Sequence, residues 1–253
     1  MKLFKTLFII AAVLGLVLAA SSCGESHKSS RSGTPGSSGG TGTGSGTGTG
    51  SGNGGGGGTP PAGIVLSFNY TWTVDGDATS AQLEAMKSNI ARLNESLFSS
   101  GHGQQYIQSV TLRDNANNGD IRTPIDVVGS SSLKGGAYAY TSASTSGDDC
   151  YIVCGGLVDR VTFGHEHGHK EHYLAGKNSS MTSLKEEYNC SACVMAIGGQ
   201  LQYCDSTNHS SQYSFEPCWE GIKHKHPEMK HVEGDYSSPS GSCPAVQVTI
   251  NDN

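Results

Sequence analysis

Apolar and polar residues alternate over positions 64–74, placing Ile64, Leu66, Phe68, Tyr70, Trp72 and Val74 on one side. A period of two over this length predicts a β-strand with one buried face. Thr79 and Gln82 have the spacing of a capping box, and Leu83, Met86, Ile90, Leu93 and Leu97 follow at helical spacing, which predicts one amphipathic helix. Residues 106–112 read as a second strand. Residues 121–128 read as a weaker one, which Pro124 demotes to a sheet edge. Residues 138–141 and 151–153 are short strand candidates. A helix beginning near Leu157 or Asp159 carries a histidine cluster, and a shorter helix spans 183 to about 197. The last third, rich in Cys, His, Ser and Pro, reads as irregular chain held by cross-links. Elements in this order predict an α+β domain with a mixed sheet.

The first 62 residues follow a different pattern. Lys2 and Lys5 precede an apolar run of signal-peptide length, too short to span a bilayer comfortably. Small residues then lead to Cys23 in the manner of a bacterial lipobox, with Ala20 where leucine is usual. The expectation is a signal peptide over 1–22 and lipidation of Cys23; an ordinary cleaved signal is the alternative. Residues 23–62 are nearly all Gly, Ser and Thr. Such a chain has no apolar side chains whose burial could offset its ordering entropy, so it reads as a flexible tether. These features predict a lipid-anchored, extracytoplasmic protein of the bacterial cell envelope.

The remainder, 63–253, has the size of one domain. A formal charge of −6 offers no basic face, which argues against nucleic acid as a partner. Setting Cys23 aside leaves Cys150, Cys154, Cys190, Cys193, Cys204, Cys218 and Cys243. In an oxidising compartment these predict a disulfide-rich C-terminal part with one thiol left over. The competing reading is a structural zinc site formed by Cys190, Cys193, Cys204 and Cys218.

The chemistry concentrates in His165-Glu166-His167-Gly168-His169. Residues four apart lie on one face of a helix, so His165 and His169 can aim both imidazoles at one ion. Zinc lowers the pKa of a bound water to about 7, and Glu166 beside the first ligand is placed to take the water proton as general base. Gly164 and Gly168 leave room on the helix. His172 is a poor third ligand, because seven residues of helix separate it from His165 by roughly 10 Å. Glu186 and Glu187 are the acids at hand for the third position. Their alternative role is that of an acidic pair favoured at a helix N-terminus. A histidine-rich surface helix is the bland reading of the cluster, and His224, His226 and His231 read as solvated surface.

Downstream of the helix come Glu186-Glu187-Tyr188, Cys190, Cys193-Val194-Met195, Tyr203-Cys204, Asn208-His209 and Pro217-Cys218-Trp219. This succession resembles the N-terminal metallohydrolase domain of calcium-activated chloride channel regulators and related bacterial proteins. The resemblance covers roughly 159–222, and Arg92-Leu93-Asn94 with Tyr106-Ile107 extends it more weakly. It implies a zincin-like fold of the metzincin kind, metal ligands at His165, His169 and Glu186, and Glu166 as catalytic glutamate. Tyr173 stands where that family has a glycine, residues 175–184 are extra, and Glu186 replaces the usual aspartate, so Glu187 stays a rival. Met195 reads either as a methionine turn beneath the metal or as a core residue. His209 reads as packing beside a disulfide rather than lining the site.

These readings converge on a zinc peptidase or related amide hydrolase held outside the cell, with peptide or protein substrates and Zn2+ as cofactor. The alternative class is a binding or adhesion lipoprotein whose metal site is structural or vestigial. Self-cleavage is a third, which the resemblance suggests and the long linker permits.

Overall fold

The alternating segment forms strand β1 (Leu66–Val74), and its C-terminal half is buried. Helix α1 (Ser80–Ser100) follows, with the predicted Thr79–Gln82 capping box in place. It carries the chain across to β2 (Gln105–Arg113), which pairs parallel with β1. Leu83, Met86, Ile90, Leu93 and Leu97 are all buried. Two asparagines share that buried side. Asn89 donates to Val158 O at 2.9 Å, while Asn94 accepts from Ile107 N–H at 2.6 Å and donates to Pro244 O at 2.7 Å. These amides pin the helix to its neighbours and satisfy backbone groups that burial would otherwise strand. The computed structural model describes residues 63–143, 150–172, 174, 190–196, 198–210 and 216–253.

Strand β3 (Ile121–Thr123) lies on the other side of β1, and β4 (Ala139–Ala143) and β5 (Cys150–Cys154) complete that half of the sheet. Strand β6 (Gln247–Asn251) pairs with β2, giving the order β4-β5-β3-β1-β2-β6. All pairings are parallel except β4 with β5. The mixed-sheet α+β architecture is therefore as expected, with two corrections. β3 is interior rather than an edge, because the strand ends at Thr123 and Pro124 caps a short 3-10 turn (Ile125–Val127) instead of occupying the ladder. The chain also ends in a strand that its composition had hidden.

Asp159 opens helix α2 (Arg160–His172), its carboxylate accepting from the N–H groups of Val161 and Thr162. Helix α3 (Cys218–Lys225) follows later. Of the second helix expected over 183–197, residues 183–189 and 197 lie outside the described residues. Residues 190–196 form turns, closed by Cys193 N–H to Cys190 O and Ala196 N–H to Cys193 O. No helix among the described residues is long and apolar enough to cross a membrane.

Two apolar cores result. One joins β1, β2 and α1 to Phe163; the other gathers Leu174, Val194, Met195, Tyr203, Trp219, Ile222 and Met229. Helix α2 borders both. Phe163 stacks on Trp72 with centroids 6.2 Å apart, and Gly164 and Gly168 face Val194 and Met195.

Candidate metal centre

Successive residues of α2 are turned by about 100°, so its three faces carry three kinds of contact. Phe163 and His167 point toward the sheet. The His167 ring lies edge-on to Phe68 with centroids 4.8 Å apart, and neither of its nitrogens has a hydrogen-bond partner among the described residues. Burial pulls its pKa down to about 4, so the ring is neutral. His172 is also buried and neutral, with Nε2 2.9 Å from Gln105 Oε1. Both histidines are thus packing residues, in line with the helical geometry.

Gly164 and Gly168 form the second face. A Cβ at Gly168 would stand 2.6 Å from Met195 Sδ, so the side chain of Met195 fits only against a bare backbone. This places fully buried Met195 directly against the helix that carries the histidines.

The third face presents His165 and His169. Their Nε2 atoms are 3.0 Å apart. His165 Nδ1 lies 3.3 Å from Val194 O, and His169 Nδ1 lies 3.1 Å from Leu174 O. A carbonyl oxygen only accepts, so each Nδ1 is placed to donate to its carbonyl while each Nε2 faces the other ring. With Zn–N bonds of about 2.0–2.1 Å, tetrahedral ligands sit about 3.4 Å apart, close to the spacing seen. Two imidazole nitrogens at this spacing can share one metal ion, and the backbone carbonyls would fix the orientations of the rings.

Those carbonyls are themselves anchored. Val194 N–H bonds Gln202 O at 2.7 Å, and Leu174 N–H bonds Gly168 O at 3.1 Å. On the flank of the helix nearest β4, Glu166 is almost fully buried. Thr141 of β4 donates to Glu166 Oε2 at 2.7 Å and lies 3.0 Å from Glu166 O. The structure therefore pairs His165 with His169, packs Met195 against Gly168, holds Glu166 on Thr141, and adds Val194 O and Leu174 O beside the two rings. Backbone carbonyls have no sequence signature. Thr141 had one only as an alternating position in a short strand. Glu186, Glu187 and Cys23 lie outside the described residues.

Behind this centre the cysteines converge. Cys154, Cys190, Cys193, Cys204, Cys218 and Cys243 stand as thiols, whereas Cys150 is disulfide-bonded, so the disulfide-rich C-terminal part expected is not seen among those six. Cys193, Cys204 and Cys218 lie within 4.8 Å of one another, as do Cys190, Cys204 and His209. The neighbouring thiols of Cys193 and Cys218 hold Cys204 well below its ordinary range. His209 packs beside Cys190 and Cys204, which are thiols rather than the disulfide expected there. Of the tail histidines, only His224 is largely exposed. His226 reaches Glu171 O, and His231 stacks on Trp219 and meets Asp205 at 2.8 Å. These two are partly buried where α3 and the chain after it fold back over the second core.

Comparison with protein-family models, curated proteins and solved structures finds no match for this chain.

Proposed function

We propose that the chain is a zinc-dependent metallohydrolase of the zincin kind, most simply a peptidase, tethered outside the cell through Cys23. The observation that carries this reading is the facing pair of Nε2 atoms on His165 and His169, each locked by a backbone carbonyl, with Glu166 between them in sequence. A bare histidine-rich surface would not orient both rings through buried acceptors. Glu186, or its neighbour Glu187, is the third ligand that the resemblance implies.

A zinc ion held there supplies Lewis acidity and lowers the pKa of water to about 7. The chain's own residues do the rest. Glu166 takes a proton from the attacking water and delivers it to the departing amine. Thr141 holds the Glu166 carboxylate in place at 2.7 Å. Strand β4 ends the sheet order on this side, so its outer edge has no strand partner among the described residues. An extended peptide can pair with such an edge through main-chain hydrogen bonds. A peptide so placed runs past Thr141 and hence past Glu166, which favours a peptide over a compact substrate.

The decisive variant is Glu166→Gln. It should lower turnover of a peptide library by roughly 10²- to 10⁴-fold while zinc content stays unchanged. A wild-type protein that binds no zinc would overturn the enzyme reading. One that binds zinc and cleaves nothing would point to a binding module.

A further inference from the structure

We propose that Cys190, Cys193, Cys204 and Cys218 form a second, structural zinc site, separate from the histidine pair. The proposal does not rest on hydrolytic activity.

Four observations carry it. First, Cys204 Sγ lies within 4.8 Å of Cys193 and Cys218 in one group and of Cys190 and His209 in another, so the four sulfurs adjoin through Cys204 rather than forming two separate pairs. Second, Cys193 Sγ and Cys218 Sγ are 3.3 Å apart. A disulfide requires about 2.05 Å. Four sulfurs at 2.3 Å around a tetrahedral zinc are separated by about 3.8 Å, which a small adjustment reaches. Third, N–H groups converge on the sulfurs. Met195 N–H points at Cys193 Sγ and Cys218 N–H at Cys204 Sγ, each at 3.4 Å. His209 Nδ1 lies 3.2 Å from Cys204 Sγ and can donate there. Donors aimed at sulfur stabilise thiolate charge, and a disulfide has no such charge to stabilise. Fourth, Cys190-Ser191-Ala192-Cys193 is a turn that brings two sulfurs to one side, closed by Cys193 N–H to Cys190 O at 2.8 Å. Binding would draw off the protons of those thiols still protonated and leave a buried tetrathiolate, whose charge those donors offset.

The position of the cluster gives it a task. Cys193 is followed directly by Val194, whose carbonyl orients His165, and by Met195, which underlies Gly168. Cys218 begins α3. An ion joining them would clamp the turn beneath the histidine helix to the far wall of the second core.

The test uses the full chain purified without chelator or reductant. Zinc is counted by mass spectrometry of the metal, and thiols by alkylation of the denatured chain in EDTA followed by peptide mapping. The double variant His165→Ala/His169→Ala should still hold a single zinc per chain. Cys190, Cys193, Cys204 and Cys218 should all be alkylated. Cobalt replacement in that variant should give a near-ultraviolet thiolate charge-transfer band, a readout that needs no cysteine substitution. The proposal fails if the variant holds no metal, whether its cysteine peptides emerge disulfide-linked or alkylated. Loss of zinc from the histidine pair is read separately, as the difference between wild type and the double variant.

Discussion

His167 sits in the middle of the histidine cluster yet faces the sheet rather than the His165–His169 pair, and replacing it separates motif from mechanism. Its ring is fully buried among Phe68, Phe163 and Tyr70, and both nitrogens lack partners among the described residues. Leucine has a similar volume and needs no partner. Removing a buried, unsatisfied polar ring should stabilise the fold by about 1–2 kcal/mol near pH 8. The pH dependence is more diagnostic. The folded-state pKa is lowered from 6.5 to about 4. Between those values the unfolded chain binds a proton that the folded chain does not, so stability is complete above pH 6.5 and falls as pH drops toward 4. One pKa unit corresponds to about 1.4 kcal/mol, which makes the loss attributable to His167 about 2 kcal/mol by pH 5. Urea unfolding of wild type and His167→Leu at about pH 8 and about pH 5 isolates this term, since the two chains share every other titrating group. The variant should be the more stable at both, by a margin about 2 kcal/mol wider in acid. Equal pH slopes, or a variant weaker at pH 8, would refute the assignment of His167 as a neutral packing residue. Zinc content should not change.

Thr141→Val keeps the shape of β4 but removes the hydroxyl that holds Glu166. Turnover should fall roughly ten- to a hundredfold with KM and zinc content unchanged, and Thr141→Ser should restore most of it. Gly168→Ala would place a Cβ 2.6 Å from Met195 Sδ. Overpacking of about 1–3 kcal/mol should outweigh the helix-propensity gain of about 1 kcal/mol, lowering the thermal midpoint; an unchanged or raised midpoint would show that Met195 moves aside freely.

Much of the scaffold was legible because local pattern and burial agree. The alternation through Leu66, Tyr70 and Trp72 and the Thr79–Gln82 box each use a single periodicity or cap, and each found its element. Pro124 misled because one residue separates a strand interior from the turn that follows it. Strand β6 was missed because its alternation is short and only half buried. Residues 190–193 carry an apolar spacing compatible with a helix, but the convergence of their sulfurs with Cys204 and Cys218 selects turns instead. At the site, His165, Glu166 and His169 were readable because helical spacing alone puts two imidazoles on one face. The groups that orient them were not. Val194 O and Leu174 O are main-chain atoms, and Thr141 meets Glu166 across 25 positions of sequence.

The histidine helix forms the partition between two apolar cores. The C-terminal core supplies the carbonyls that steer His165 and His169, while the sheet core holds Phe163 and His167. Opening the C-terminal core as a local unit would therefore release both ligand anchors at once while the sheet stays folded. Amide exchange in residues 190–210 and metal dissociation then share one opening equilibrium. Retention of a metal held by the proposed pair would then measure subglobal unfolding, set by how tightly that half of the molecule closes on the partition rather than by the strength of the two imidazole bonds.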